Sequence, residues 1–415
     1  MNVFVLNTGS SSVKFQIINT DLDLFEKDAD AMVAKGLIER IGQKDAIFTF
    51  EAVGSAPVKG SEQILDHREA ILKIKDWVES KETKIQGVSG WKDINAIGHR
   101  LVHGGEKFTR SVLITDEVIQ KMEECSDLAP LHNPPNLKGV AACSEIFPST
   151  VPQVGVFDTA FHSTMPEESY LYSIPYEFYE KYRIRRYGFH GTSHRYVAYR
   201  YRKITGTSRE NTNIITIHLG NGSSMTAIKN GYSIFNSMGM TPVEGLIMGT
   251  RSGDIDAGII EYLYRKGIGD LPDIMNILQK KSGMLGISGV SNDMRDIEKA
   301  AEEGNKRAQL ALKMFAFRVK KYIGACFAQM GGADAIVFTG GIGENDVLSR
   351  EMICENLECL GIELDKKLNE QAFKGKCMRI SKENSRCHIW VIPTNEELVI
   401  ARDTVRVVKD APREW

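Results

Sequence analysis

Two similar strand–turn–strand patterns, one in each half of the chain, constrain the fold most. In each, an apolar run rich in β-forming residues enters a turn of small residues and a second apolar run follows, as in a β-hairpin. The three segments span residues 2–6, 7–12 and 13–17 in the first pattern, and residues 213–219, 220–224 and 225–228 in the second. The repetition predicts two domains built on one plan, with chance similarity of two common hairpins as the alternative.

Strand and helix signals alternate along the remaining sequence. Further strands are expected at residues 94–97, 154–157, 335–339 and 389–392, and one helix is expected to begin near Thr115. Residues 300–330 read as a single long helix rich in Ala, Leu, Lys and Phe. This alternation is typical of an α/β protein, and the domain break is expected after Phe157.

Composition excludes several classes of protein. The chain carries 52 basic and 54 acidic residues, for a net charge of -2, so no overall field attracts nucleic acid or an anionic membrane. No segment approaches the roughly 18 uninterrupted apolar residues of a membrane span, and the N-terminus has no signal-peptide pattern. The seven cysteines are scattered without a C-x-x-C pair, which favours reduced thiols. A cytoplasmic protein without membrane or nucleic-acid partners is therefore expected.

Four turns of small residues each follow a predicted strand. They span residues 7–12, 220–224, 249–254 and 340–345. Glycine lets backbone N–H groups approach phosphate oxygens, and serine or threonine hydroxyls add donors, so four such turns favour phosphate binding. The P-loop pattern is absent and Gly341-Ile342-Gly343 lacks the third glycine of a dinucleotide fingerprint, which disfavours P-loop and Rossmann enzymes.

Charged side chains stand among small or apolar residues at the predicted strand ends. They are Lys14, Arg100, Asp158, His190 and Arg251. Phosphoryl transfer needs cations around the transferring group and a carboxylate near metal or nucleophile, so this set fits a kinase. The guanidinium of Arg100 could bind a substrate carboxylate through two of its N–H groups. Its alternative role is a structural salt bridge.

Two other readings of these segments are weaker. The pairs His99/His103 and His190/His194 have zinc-compatible spacing, but neither has the glutamate of a zincin motif and both are expected outside helices. Residues 182–203 interleave arginine with tyrosine, as some nucleic-acid-binding surfaces do. Without a nucleic-acid-binding motif, a solvated helix face beside a catalytic loop at residues 188–194 is the better interpretation.

Together these segments resemble the family of acetate, propionate and butyrate kinases in the sugar kinase–Hsp70–actin superfamily. The matching motifs run in order from residue 7 to residue 397 and lie at residues 7–14, 99–105, 131–136, 157–162, 187–194, 218–224, 248–254, 293–295, 340–345 and 393–397.

The resemblance implies a fold and an organisation. The fold would be α/β, with two duplicated ribonuclease-H-like domains and an interdomain ATP cleft. The domains would comprise residues 1–158 plus 394–415, and residues 159–393, the second carrying the nucleotide and the contacts of a homodimer. ATP or ADP would be co-substrates, with Mg²⁺, or Mn²⁺ in its place, as the metal.

The resemblance also implies roles for single residues. Asn7 and Glu396 would hold the metal, Arg100 the acetate carboxylate, and Asp158, His190 and Arg251 would be catalytic. The substrate methyl group would contact Val102, Leu131, Phe189 and Pro242. The nucleotide would contact Ser12, Lys14, His218, Leu219, Gly220, Asn221, Gly222, Asp293, Met294, Arg295, Gly341, Ile342, Gly343, Glu344 and Asn345.

The implied reaction is reversible transfer of the γ-phosphoryl group of ATP to acetate, giving acetyl phosphate and ADP. A propionate or butyrate kinase would use the same residues, and Val102 favours the smaller substrate because a smaller side chain there would leave more room. An ATP-gated binding protein of the Hsp70 or actin type would share the hairpins but would have no need of Arg100 beside an apolar pocket.

Overall fold

The two predicted hairpins are present, and each begins a β-sheet. The computed structural model describes residues 1–130 and 132–412. Its strands are β1 (Asn2–Thr8), β2 (Ser12–Asn19), β3 (Ala31–Glu39), β4 (Ala46–Ala52), β5 (Val58–Glu62), β6 (Ala96–Leu101), β7 (Val112–Leu113), β8 (Gln153–Phe157), β9 (Ile214–Leu219), β10 (Ser223–Lys229), β11 (Tyr232–Asn236), β12 (Ala335–Thr339), β13 (Met378–Arg379) and β14 (His388–Val391).

Helices connect and cover these strands. They are α1 (Leu22–Glu26), α2 (His67–Glu79), α3 (Asp116–Glu124), α4 (Asn133–Ile146), α5 (Glu167–Tyr170), α6 (Glu177–Tyr182), α7 (Gly191–Thr205), α8 (Gly258–Arg265), α9 (Leu271–Lys280), α10 (Gly283–Ser288), α11 (Met294–Glu302), α12 (Lys306–Met330), α13 (Gly340–Asn345), α14 (Val347–Cys354), α15 (Lys366–Gln371) and α16 (Glu396–Val408).

The chain divides into two compact units. Unit 1 comprises Met1–Ala160 and the chain from Asn395 onward, and unit 2 comprises Phe161–Thr394. The sequence-based boundaries, after residue 158 and before residue 394, stay a prediction about separate domains.

Unit 1 is built on an eight-stranded sheet in the order β5-β4-β3-β2-β1-β6-β8-β7. Along β1, successive side chains alternate between the two faces of the sheet. Phe4 and Leu6 join the core beneath α2 and α4, whereas Val3 and Val5 join the core beneath α16. Because both faces are covered, the middle of β1, residues 3–6, is apolar, and its polar residues Asn2, Asn7 and Thr8 come at its two ends.

Unit 2 has a six-stranded sheet in the order β11-β10-β9-β12-β14-β13. Ile215, Ile217 and Leu219 of β9 pack into the core that includes α12, and Ile214 packs on the opposite side with α7. The antiparallel β3-β2-β1 followed by parallel β6 and β8 in unit 1 recurs as β11-β10-β9 followed by β12 and β14. The duplicated ribonuclease-H-like α/β arrangement is confirmed.

Four local predictions were wrong. Residues 300–330 form two helices rather than one, because Gly304 adopts a left-handed φ of 91° and Asn305 caps the N-terminus of α12. The glycine-rich residues 340–345 form the short helix α13 rather than a turn. Its start is fixed by the Glu344 carboxylate, which accepts hydrogen bonds from the backbone N–H groups of Gly340 and Thr394 at 2.9 and 3.0 Å.

The arginine- and tyrosine-rich segment is also not a solvated face. Tyr187, Tyr199 and Tyr201 are buried, and so are Arg185 and Arg195. Arg185 stacks over the ring of Tyr170 with 3.5 Å between the guanidinium carbon and the ring centroid. His194, expected outside a helix, lies in the first turn of α7. Among the helices of the described residues, none has the length and apolar character that crossing a membrane requires.

Candidate active site

Three predicted site residues of unit 1 lie side by side on adjacent strands. Asn7 of β1 is the register partner of Lys14 on β2 and of Arg100 on β6. Arg100 in turn pairs in register with Val156 of β8, two residues before Asp158. Register partners project from the same face of a sheet, so the side chains of Asn7, Lys14 and Arg100 share one face.

Arg100 and Asp158 form a two-pronged ion pair. Nε of Arg100 donates to Oδ1 of Asp158 at 3.0 Å, and Nη2 donates to Oδ2 at 2.7 Å. Asp158 is only 2% exposed. Burial raises the pKa of the Asp158 carboxyl, with the Arg100 charge counteracting part of that shift. Burial alone would lower the pKa of Arg100, but Asp158 and Glu396 raise it overall, so this guanidinium stays charged.

Helix α16 brings two more carboxylates to this row. Glu396 Oε2 lies 3.8 Å from Nη2 of Arg100, and Glu397 forms an ion pair with Lys14. The helix approaches closely because Gly98 of β6 has no side chain: a Cβ there would lie 2.4 Å from Oγ1 of Thr404. Any larger residue at position 98 would push α16, and with it Glu396, away from Arg100.

Buried asparagines of α4 hold the loop that follows β6. Asn136 accepts a hydrogen bond from the Val102 N–H at 3.0 Å and donates to the Thr8 carbonyl at 2.8 Å. Asn133 accepts from the His103 N–H and donates to the His103 carbonyl. Val102 is therefore fixed beside the end of β1, and Leu131, the other apolar candidate of this unit, lies outside the described residues.

The donor atoms of this row suit a hard cation. Asn7 offers an amide oxygen and Glu396 a carboxylate, the oxygen ligands that Mg²⁺ takes while keeping waters and substrate phosphates. Both oxygens of Asp158 are engaged by Arg100, and Glu397 is paired with Lys14. Asn7 and Glu396 have the chemistry to hold such a cation, and their role as metal ligands stays a prediction.

In unit 2, His190 stands at the entrance to α7 in a strained conformation. It is the residue before the first helical turn and has a φ of 55°, in the left-handed region that non-glycine residues seldom adopt. Such strain is often kept where a side chain must be aimed at a ligand. Nδ1 of His190 lies 2.9 Å from Oγ of Ser224.

A chain of hydrogen bonds supports the His190 ring. Ser224 Oγ also lies 2.7 Å from Nε2 of His194, whose Nδ1 lies 2.7 Å from Oγ1 of Thr216. Burial lowers the pKa of His194 well below its ordinary value, so this ring is neutral. The His190 ring also packs on that of His218, with 4.4 Å between centroids. The orientation of the His190 ring is therefore fixed by side chains of β9 and β10.

Arg251 and His190 border the same small space above Gly222. A Cβ at Gly222 would lie 3.4 Å from Nε2 of His190 and 3.6 Å from Nη1 of Arg251. Nη1 of Arg251 donates to the Pro242 carbonyl at 2.9 Å. Burial lowers the pKa of Arg251, and no described carboxylate forms an ion pair with it. A partly desolvated cation without a negative partner is suited to binding an anion.

The two ends of the loop that carries Arg251 are held by hydrogen bonds to helix α12. Tyr322 of α12 donates to the Asp254 carboxylate, which also accepts from the Gly245 N–H at 2.9 Å. Arg318, one helical turn before Tyr322, donates to the Gly245 carbonyl at 2.9 Å. Residues 245–254 are thus closed into a loop whose two ends are fixed to a long helix.

Most predicted nucleotide residues of unit 2 surround one cavity of about 510 Å³. This volume lies within the range of about 300–1,000 Å³ that is usual for small-molecule sites. The cavity is lined by Gly220, Asn221, Asn292, Asp293, Met294, Arg295, Glu298, Gly341, Ile342, Asn345 and Asp346.

Five of the predicted nucleotide residues of unit 2 have other surroundings. Leu219 is fully buried in the core, and Gly222 lies beside His190 and Arg251. Gly343 accepts a hydrogen bond from buried Arg350, and Glu344 fixes the start of α13. His218 is turned toward α7, where its Nδ1 lies 2.7 Å from Oγ of Ser193. Their contacts with a nucleotide stay predictions, as do those of Ser12 in unit 1.

The substrate candidates of unit 2 are placed by hydrogen bonds of their backbones. Phe189 is buried, and its carbonyl accepts from Nε2 of His162 at 2.9 Å. The Pro242 carbonyl accepts from Arg251. The sequence had predicted Ser224 only as part of a phosphate-binding turn, and it had given the supporting residues His162 and Tyr322 no individual role.

The chain is similar to proteins of one kinase family. A family model described as the Acetokinase family matches residues 2–402. The acetate kinase of Chloroherpeton thalassium is 53% identical over 414 residues, covering 98% of this chain and 99% of that protein. The acetate kinase of Caldanaerobacter subterraneus subsp. tengcongensis is 54% identical over 410 residues, covering 99% of each.

Solved structures of an acetate kinase and a propionate kinase superpose closely on this chain. The acetate kinase of Porphyromonas gingivalis superposes with a TM-score of 0.91 at 47% identity, covering 98% of this chain and 99% of that one. A propionate kinase from Francisella tularensis subsp. tularensis superposes with a TM-score of 0.89 at 41% identity, covering 99% and 100%. The resemblance noted in the sequence is confirmed: the chain belongs to the acetokinase family of kinases.

Proposed function

We propose that the protein catalyses reversible transfer of the γ-phosphoryl group of ATP to acetate, forming acetyl phosphate and ADP. A carboxylate oxygen of acetate forms the new bond to phosphorus while the bond from phosphorus to the β,γ-bridging oxygen breaks. Acetate needs no general base, since carboxylic acids of this kind ionise at about pH 4–5. The protein's task is to position both substrates and to stabilise the charge spread over the transferring oxygens.

Arg100 and Asp158 act on the acetate side of the reaction. The Asp158 carboxylate fixes the plane of the Arg100 guanidinium by two hydrogen bonds, and we assign the remaining donors of Arg100 to the acetate carboxylate. Because both Asp158 oxygens are already engaged, Asp158 is an orienting group rather than a proton acceptor. Val102, held by Asn136, is proposed to contact the methyl group.

His190 and Arg251 stabilise the transferring phosphoryl group. Nε2 of His190 and Nη1 of Arg251 border the space above Gly222, where their donors can share one anionic group. The absence of a described carboxylate partner for Arg251 is the observation that carries this proposal. The nucleotide is assigned to the cavity of unit 2, with Gly220 and Asn221 in its wall.

Asn7 and Glu396 are proposed to hold Mg²⁺, or Mn²⁺ in its place. When bound, the metal would neutralise charge on the β- and γ-phosphate oxygens. Lys14, held by Glu397, contributes a further positive charge on the same face of the sheet.

A substrate series tests the reaction and its acceptor together. With MgATP, we expect kcat/KM to be highest for acetate and to fall about tenfold or more for propionate and again for butyrate, since one methylene is worth about 1–3 kcal/mol. Acyl phosphate can be trapped with hydroxylamine and quantified. Equal or faster turnover of propionate would make the protein a propionate kinase, the activity named for its Francisella tularensis relative. Absence of acyl phosphate with all three acids would overturn the proposal.

We also propose that the protein is a cytoplasmic homodimer. In and around α8, the apolar side chains of Ile259, Tyr262, Tyr264, Ile268 and Leu271 are exposed, and such clusters commonly mark protein interfaces. The seven cysteines are unpaired, which suits a reducing compartment.

Sedimentation velocity at micromolar concentration tests the assembly. We expect a dimer for the unaltered protein and a folded monomer for Tyr262→Glu/Tyr264→Glu, because two charges would be buried in the interface. Tyr176→Glu, at an exposed tyrosine elsewhere in unit 2, is the control and should stay dimeric. A dimer that survives the double substitution would place the interface elsewhere.

A further inference from the structure

Two carboxyl groups meet in the wall of the nucleotide cavity. Glu298 belongs to α11, whose first residues follow directly on Asp293, and Asp346 precedes α14 and follows α13. Both line the cavity of unit 2. One carboxyl therefore belongs to each of the two segments on which the nucleotide was predicted to rest.

Each carboxyl of this pair has one oxygen that lacks a donor, and the two side chains lie within hydrogen-bonding reach of each other. Oε1 of Glu298 and Oδ2 of Asp346 are both shielded from solvent, and neither accepts a hydrogen bond from a described N–H or O–H group. The other oxygen of Asp346, Oδ1, accepts from the Ser349 N–H at 2.8 Å. Two buried carboxylate oxygens in contact are satisfied only if one of the groups carries a proton and donates it to the other.

The surrounding charges favour a proton on Glu298. Burial is the largest influence and, with the adjacent Asp346, raises the pKa of Glu298 to about 8. The other groups that act on Glu298, Glu302 and Asp293, are acidic as well and contribute to the same rise in pKa. Asp293 is itself paired with Arg295. A positive group also acts on this pair: buried Arg350 lies near Asp346, whose negative charge opposes the lowering of the Arg350 pKa by burial.

We propose that Glu298 and Asp346 share one proton and that this hydrogen bond joins the two walls of the nucleotide cavity, so that nucleotide binding requires the proton. The inference rests on the proposed function, because it assumes that this cavity takes ATP and ADP. Loss of the proton would place two negative charges in contact, separate α11 from α14, and add a charge beside an anionic ligand. Glu298 and Asp346 are positioning residues in this scheme.

The direction of the pH dependence follows from the raised pKa. Below about pH 8 Glu298 is protonated, and the affinity for nucleotide is constant. Above about pH 8 the protonated fraction of the protein, which alone binds nucleotide, falls about tenfold for each pH unit. We expect the Kd of MgADP, measured by titration calorimetry, to rise about tenfold between pH 7 and pH 9. Glu298→Gln keeps a donor toward Asp346 at every pH, and its Kd should change less than twofold over this range.

Two further variants make the test specific. Glu302→Gln removes an acidic group one turn along α11 and should keep the tenfold change, whereas Asp346→Asn should flatten it while still capping α14. A tenfold change that persists in Glu298→Gln, or that disappears in Glu302→Gln, would overturn the shared-proton proposal. A different failure, with no MgADP bound by the unaltered protein at any pH, would instead overturn the proposed function.

Discussion

Replacement of Arg251 by alanine is expected to lower kcat about 10³-fold while leaving the KM values for acetate and MgATP within about threefold. The free-energy cost is about 4 kcal/mol, the usual contribution of a cation that acts on a transferring phosphoryl group. Arg251 is partly desolvated and has no described carboxylate partner, so in the free protein its charge is balanced chiefly by the Pro242 carbonyl. Its stabilisation is therefore available mainly to an anionic ligand.

Two variants separate charge from geometry at this position. Arg251→Lys keeps a cation without the planar fork and should recover only part of the lost kcat. Arg68→Ala, at an exposed guanidinium paired with Glu145, should behave as the unaltered protein. A rise in KM with unchanged kcat in Arg251→Ala would make the residue a ground-state binding group instead.

The sequence alone predicted much of the fold because the strongest signals were local. The strand at Ala335–Thr339 and the helix opening after Thr115 lie where short-range pattern and capping chemistry place them. Helix α12 was overextended because its composition continues that of α11, and only the conformation of Gly304 separates the two. The strands β3, β4 and β5 were not predicted, even though a turn of small residues, Gly54, Ser55 and Ala56, precedes β5.

The residues of the candidate site also fall into two groups: those that the sequence predicted and those that only the structure revealed. Arg100, Asp158 and His190 stand at strand or helix ends, whereas Arg251, predicted at a strand end, lies in the loop of residues 245–254; in sequence each is a conspicuous charged residue among small or apolar ones. Their supporting residues are not conspicuous: Tyr322 hydrogen-bonds to Asp254, 68 positions away in the sequence, and Glu298 lies far in sequence from its partner Asp346. Such pairs are created by the packing of helices onto a sheet, which no local pattern encodes.

The burial of arginine and tyrosine side chains could not be predicted from residue type either. The arginines and tyrosines of residues 182–203 looked like a solvated surface, yet several are buried because guanidinium groups stack on tyrosine rings. Arg350 is fully buried and donates to three backbone carbonyls, those of Gly343, Asn369 and Ala372. Only the structure reveals that a charged residue can serve as an internal support for α13.

Replacement of Arg100 by alanine is expected to abolish measurable turnover and also to destabilise the fold. The substitution removes the proposed partner of the acetate carboxylate and leaves Asp158 buried without its cation. Breaking a buried ion pair by removing one member costs about 3–5 kcal/mol in unfolding free energy. Denaturant unfolding monitored by circular dichroism measures this loss, and Arg68→Ala again provides the exposed control.

The loss of stability should depend on pH in a defined direction. Without Arg100 the burial that raises the pKa of Asp158 is no longer opposed, so this pKa rises further. A buried acid with a raised pKa costs nothing while it is protonated and destabilises the fold as pH rises through that pKa. The difference in unfolding free energy between Arg100→Ala and the unaltered protein should therefore be smaller at pH 5 than at pH 8.

A second substitution distinguishes the structural role of the pair from its role in the reaction. Arg100→Met/Asp158→Asn removes both charges and keeps similar volumes, so it should recover most of the unfolding free energy, with a coupling of about 1–3 kcal/mol between the sites. Turnover should stay absent, because no guanidinium is left to hold the acetate carboxylate. If the double variant regained activity along with stability, Arg100 would be a structural residue and the acetate carboxylate would have to bind elsewhere.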